Sequence, residues 1–186
     1  AIIESDVPGD TLERIQRVEE AICVQANNRL FAVIFWFIVL PVGPLGAWTY
    51  RVTDLVRRRA VFAAERDDVE NGNSARLLEA ATLLHGWLAW IPARLTAIGY
   101  AAAGNFDTAI GAWRAPGEQA SDTPSEYNEH LLARVGTAAL ALGDDPNEDL
   151  VSRGVRGATA ANQLVFRLLL IWAVVIAAMT LYGWTQ

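Results

Sequence analysis

Residues 30–50 read LFAVIFWFIVLPVGPLGAWTY, twenty-one residues without a formal charge, broken in the middle by Pro-Val-Gly-Pro. At about 1.5 Å per helical residue such a run is long enough to cross the roughly 30 Å of hydrocarbon in a bilayer. A second run, residues 164–184, does the same provided that Arg167 snorkels to the headgroups. A third, residues 80–104, is apolar apart from His85 and Arg94. An Arg near a helix centre costs about 2.5 to 3.5 kcal/mol on insertion scales, so this segment inserts only where its guanidinium finds a partner, a wet cleft or the interface. The expectation is an all-α fold: a polytopic membrane helical bundle with three main hydrophobic segments and amphipathic surface helices, in a single membrane domain over residues 1–186.

Residues 1–9 carry no n-region or h-region of a signal peptide and read as a turn-like lead ending in Pro8-Gly9. Asp10 and Glu13 have the spacing of a capping box, and Leu12, Ile15, Val18, Ile22 and Ala26 follow at helical intervals. This predicts an amphipathic helix over 10–29, running into the first span. Pro41 and Pro44 cannot sit in an unbroken helix, so residues 30–50 should be kinked, discontinuous or a re-entrant hairpin. Polar loops are expected over 51–79 and 105–163. The second contains two helix starts, Thr123-Pro124-Ser125-Glu126 and Asp145-Pro146-Asn147-Glu148, each with a capping residue, Pro at the first helical position and Glu at the third. The helix begun at Pro124 is too short to span; it should end at Gly143 and lie on the membrane face. Arginines crowded over 51–76 mark a cytoplasmic side, although Arg14, Arg17 and Arg29 flank the other end of the same span.

Charge narrows the function classes. The net charge is −6, which does not suit phosphate-backbone binding, so nucleic acid is excluded as a partner and membrane lipid and other membrane proteins are the partners expected. Cys23 is the one cysteine, which removes internal disulfides and multi-cysteine metal sites. There is no phosphate-binding loop with Lys, no His-Glu-x-x-His and no Gly-x-Ser-x-Gly, and no cofactor is implied. Asp67, Asp68 and Glu70 are close enough to hold a hydrated Mg²⁺, although a solvated acidic loop is the plainer account of them. His85 reads as a neutral imidazole bonded to a neighbouring helix. Arg94 is the most informative polar residue, because an ionisable group inside a span is a functional candidate by default. Pro92 should free a carbonyl one turn earlier, offering that guanidinium a local partner.

The blocks FAVIFWF, GPLGAWTYR, WIPARLTAIGYAAAGNFDTAIGAW and TLYGW, in this order, resemble the AmpE family over residues 10–186. The resemblance implies a bacterial inner-membrane protein that senses or modulates β-lactamase induction and cell-wall stress. It also implies a relationship to the cobinamide-phosphate synthases. Their Tyr-Arg and Pro-Ala-Arg-Leu-Thr-Ala elements stand here as Tyr50-Arg51 and residues 92–97. The synthases' first polar block is replaced by Asp54-Leu55-Val56-Arg57, His85 and Gly86 stand at their paired aspartates, and Ala89 at their Asn. With the arginines kept and those carboxylates missing, Arg51, Arg94, Asn105 and Asp107 are the candidate ligand-binding residues, for a small anionic or nucleotide-like ligand. No catalytic residue is assigned. The other readings are a ligase that uses Asp67, Asp68 and Glu70 for metal, and an accessory subunit of a larger membrane complex.

Overall fold

A computed structural model describes residues 11–40, 44–66, 72–115, 123–143 and 147–183, and these are helical with short connections. The elements are α1 (Thr11–Ala26), a π-helical turn (Asn27–Phe31), α2 (Ala32–Val39), α3 (Pro44–Arg66), α4 (Gly72–Ala103), α5 (Phe106–Arg114), α6 (Pro124–Leu140) and α7 (Leu150–Leu181).

Two of these stretches, not three, are long and apolar enough to cross a membrane: Thr11–Val39 and Leu150–Leu181. Residues 80–104 fall short because Trp, Thr, small residues, His85 and Arg94 dilute their Leu and Ile. Only 11% of the apolar window of α7 is buried within the molecule, so this helix turns most of its hydrophobic surface outward and is not the core helix of a water-soluble domain.

The uncharged run at 30–50 is two helices. Leu40 leaves α2 in an extended conformation (φ −83°, ψ 133°), as a residue before proline is driven to do. Pro44 then opens α3, where its missing N–H would have had no helical partner. The start of α3 lies so close to α2 that a Cβ on Gly46 would sit 2.3 Å from the Trp36 carbonyl oxygen. At the other end of α2 the chain is continuous with α1 through the π turn. The inward face of α1 is Glu19, Cys23 and Ala26, whereas Leu12 and Val18, expected on the apolar seam, are exposed.

Within the stretches expected as polar, α3 extends to Arg66, α4 begins at Gly72 and α5 adds a helix at Phe106–Arg114, while α6 and the first turns of α7 are helices of the kind the two start signals predict. α6 starts as its sequence dictates, with the Thr123 hydroxyl accepting from the Glu126 amide at 3.3 Å. Its end is Ala141, in the left-handed conformation at φ 46°, and not Gly143. Nor does α6 lie on an outer face. Leu131, Leu132, Val135 and Ala139 are buried in one cluster with Ala93, Ala97 and Ala101 of α4, and α4 approaches α6 closely at two glycines, Gly86 against Pro124 and Ser125 and Gly104 against Ala139. α7 is capped by Asp149, whose carboxylate accepts from the Ser152 amide at 3.1 Å. Asp145, the cap expected from the sequence, lies outside the described residues, as do Asp10, Asp67, Asp68, Glu70 and Trp184.

Contacts fix the relative directions. Gly86 lies against Ser125 and Gly104 against Ala139, so α4 and α6 run parallel; Gly99 meets Leu168 and Gly104 meets Leu164, so α7 runs against them. Ile15 at Gly154 and Phe31 stacked on Trp172 (6.3 Å) place α7 alongside α1 and the π turn in the same direction.

Candidate functional site: a buried polar network

The centre of the bundle holds more polar groups than a membrane or soluble core usually keeps. Asn27, Asn28, Asp54, His85, Thr96, Ser125 and Glu129 are all buried, and they come from four different elements. Asn27 and Asn28 open the π turn and are both buried, 0% and 2% exposed.

The hydrogen bonds form a directed chain. Thr96 donates to Asn27 Oδ1 (2.9 Å), and Asn27 donates to Asn28 Oδ1 (3.0 Å). Tyr50 donates to the same oxygen of Asn28 (3.3 Å) and lies 3.4 Å from His85 Nε2. On the far side of the ring His85 Nδ1 is 3.1 Å from the Ser125 hydroxyl. Asp54 Oδ1 stands 3.7 Å from His85 Nε2, which in the neutral ring favours the tautomer with its proton there. Ser125 then donates to Nδ1 and the Nε2 proton points to the Tyr50 oxygen, leaving the tyrosine hydroxyl proton for Asn28.

Beside this chain sits a set of charges. Asp54 is completely buried and accepts from Arg51 (2.9 Å) and, through both oxygens, from Arg58 (3.1 Å each). Arg58 also reaches Gln25 on α1 at 2.9 Å. One turn away, buried Arg57 pairs with buried Glu129 at 2.7 Å, joining α3 to α6. This pair uses one nitrogen and one oxygen only. Among the described residues Arg57 Nε and Glu129 Oε2 are buried without a hydrogen-bond partner, so a strut of two opposite charges holds an open donor and an open acceptor.

The chain matches the family of the regulatory signalling modulator protein AmpE over residues 2–185. It belongs to the AmpE family. No curated protein and no solved structure matches it.

In this AmpE protein the four residues singled out from the sequence occupy separate places. Arg51 is at the edge of the network, its side chain 40% exposed while Asp54 holds it. Arg94 stacks on Trp90 (3.9 Å to the ring centroid) and donates to the Trp90 carbonyl at 2.9 Å and to Asn128 at 3.1 Å. Asn105 caps α5, accepting from the Thr108 amide at 3.1 Å, and Asp107 is exposed in the first turn of that helix. Arg94 and Asn105 are eleven positions apart along one axis, about 16 Å at the helical rise. The carbonyl that Pro92 frees, that of Leu88, is taken by the Trp36 indole at 3.0 Å and not by Arg94. Sequence reasoning singled out His85 as a buried neutral imidazole and passed over Asn27, Asn28 and Glu129. Two adjacent asparagines next to an uncharged run were the available signal for the first two, while nothing local distinguishes Glu129 from a solvated helix residue.

Proposed function

We propose that this AmpE protein is a multi-pass inner-membrane signalling modulator acting in β-lactamase induction and the response to cell-wall stress, with the buried polar network as the element that changes state. The observation that carries the reading is the distribution of polarity. Trp48 on α3, Trp87 on α4 and Val174 on α7 are 64%, 67% and 69% exposed, while Asp54, His85, Glu129 and Asn27 are enclosed. Apolar residues outside and paired polar residues inside suit a bundle with lipid around it. On this reading α3 and α4, less apolar by composition than α7, are held at membrane depth by their neighbours.

A modulator needs two arrangements that a signal can bias. The Arg57–Glu129 strut, with one unused donor and one unused acceptor, supports such a role: a small sliding of α6 along α3 trades the present bond for a two-point one. Arg51, half outside and tied to Asp54, is where an anionic ligand would reach the network; competition for that guanidinium weakens its hold on Asp54.

The test is a β-lactamase induction reporter in cells carrying the parent chain, Asp54→Asn or Arg51→Gln, with the amount of each protein in the membrane fraction measured alongside. Altered induction at equal membrane abundance is expected. Unchanged induction by both variants at equal abundance would refute the assignment of the network.

A further inference from the structure

Arg94 is a partly exposed charge among apolar residues on the outward face of the second half of α4. Trp87, Ile91 and Leu95 around it are exposed, as is Tyr127 of α6, whose ring centroid lies 5.5 Å from the guanidinium carbon. Both hydrogen bonds of Arg94 leave from the same nitrogen and end on neutral oxygens, the Trp90 carbonyl and the Asn128 amide. Among the described residues none of the salt bridges includes Arg94. Its Nε and second amino group therefore keep their donors for a further acceptor, and its positive charge is uncompensated within the described residues.

The depth of that charge follows from the helix register. Gly99 meets Leu168, where the uncharged part of α7, residues 168–181, begins. The guanidinium is fixed at Trp90, nine positions before Gly99 on a helix that runs against α7. Nine positions are about 14 Å, which brings the charge level with about residue 177 of α7, within its uncharged stretch. On the 164–184 span that level is about 10 Å from the nearer end, and the guanidinium is already held back at Trp90, so it does not extend to the lipid phosphates.

We propose that this face of α4 is a docking site for a membrane helix of a partner protein that carries a carboxylate, Asp or Glu, near its own midpoint. The planar guanidinium fork suits a carboxylate in two-point contact, and the Trp90 and Tyr127 rings frame it on two sides. The apolar residues above and below suit the rest of such a helix. Each partner carries a charge that is costly in hydrocarbon by itself, and pairing relieves both. The inference rests on the multi-pass reading above.

The whole chain is reconstituted in phosphatidylcholine vesicles with a dansyl-labelled Leu-Ala spanning peptide bearing one central Glu, or Gln in its place, and energy transfer from the protein's tryptophans reports association. The Glu peptide should associate about tenfold more tightly than the Gln peptide, with Arg94→Gln erasing that preference and Arg94→Lys retaining part of it. Equal association of the two peptides with the parent chain overturns the proposal even if Arg94→Gln proves unstable. Loss of the preference when phosphatidylglycerol replaces part of the phosphatidylcholine overturns it too, by assigning the guanidinium to lipid phosphate. Failure of the parent chain to insert into the vesicles removes the multi-pass reading itself, a separate result from insertion without peptide preference.

Discussion

Pro92 and Trp36, distant in sequence, act as one unit. Proline deprives the Leu88 carbonyl of its helical donor, and the indole N–H of Trp36 supplies the missing bond from α2. Trp36→Phe should therefore cost about 1 to 3 kcal/mol, the penalty for an unsatisfied buried acceptor. In a Pro92→Ala background the helix recovers its own donor, and the same change should cost clearly less. Thermal or denaturant unfolding of the four proteins gives the coupling; strict additivity would show that the two residues do not share the carbonyl. The Arg57–Glu129 pair follows a different rule. Glu129→Gln alone should destabilise by about 3 to 5 kcal/mol because it strands a buried guanidinium, whereas Arg57→Met with Glu129→Leu should be close to neutral. A double variant as unstable as the single one would mean that the pair is a net source of stability.

Among the elements, α6 depends most on how closely it is seated. A Cβ on Gly86 would lie 2.6 Å from the Ser125 amide nitrogen and 2.8 Å from Pro124, so backbone must move to admit it. Gly86→Ala should lift the start of α6 from α4, break the contact between His85 and Ser125 and cost about 1 to 3 kcal/mol. Protection of the first α6 amides against hydrogen exchange would fall before that of the rest of the helix. The start of α7 responds to pH. Glu148 is held below the ordinary carboxylate range by its hydrogen bond to Arg156, and Asp149 by its bonds to Ser152. Both carboxylates are depressed in the fold, so their contribution is complete above about pH 4.5 and is lost as the pH falls through their folded values. Amide exchange at Ser152 and Arg153 should rise in that acid window, and Arg156→Gln should remove the part due to Glu148.

At the scale of the molecule the outward apolar surface is the property to test. Val174 faces away from the bundle on α7, and placing Asp there adds about 2.5 to 3.5 kcal/mol to insertion at a helix centre while leaving the internal contacts of the helix in place. Val174→Asp should shift the protein from the membrane fraction toward aggregates, whereas the same change at Val151, near the start of α7, should be tolerated. Equal membrane retention by both variants would contradict the placement of α7 in hydrocarbon.

The sequence by itself determined the helical class, the apolar character of α7, the division of the uncharged run into two helices and the cap at Thr123. These depend on local causes, namely residue hydrophobicity, proline sterics and side chains that bond to nearby amides. It also carried the resemblance to AmpE, because short blocks in a fixed order survive without any knowledge of contacts. Only the tertiary structure decided which faces turn inward. Leu12 and Val18 point outward while Glu19 is buried against Arg153 of α7, and α6 lies in the core, because the neighbours of each residue come from helices far away in the chain. The polar network depends on the same cause. Asn27 and Asn28 accept from Thr96 and Tyr50 of other helices, Glu129 meets an arginine seventy-two residues away, and buried Asp54 lies between arginines of α3 and His85 of α4. Charge pairing across such separations has no period or motif to announce it, so it becomes visible only once the helices are packed.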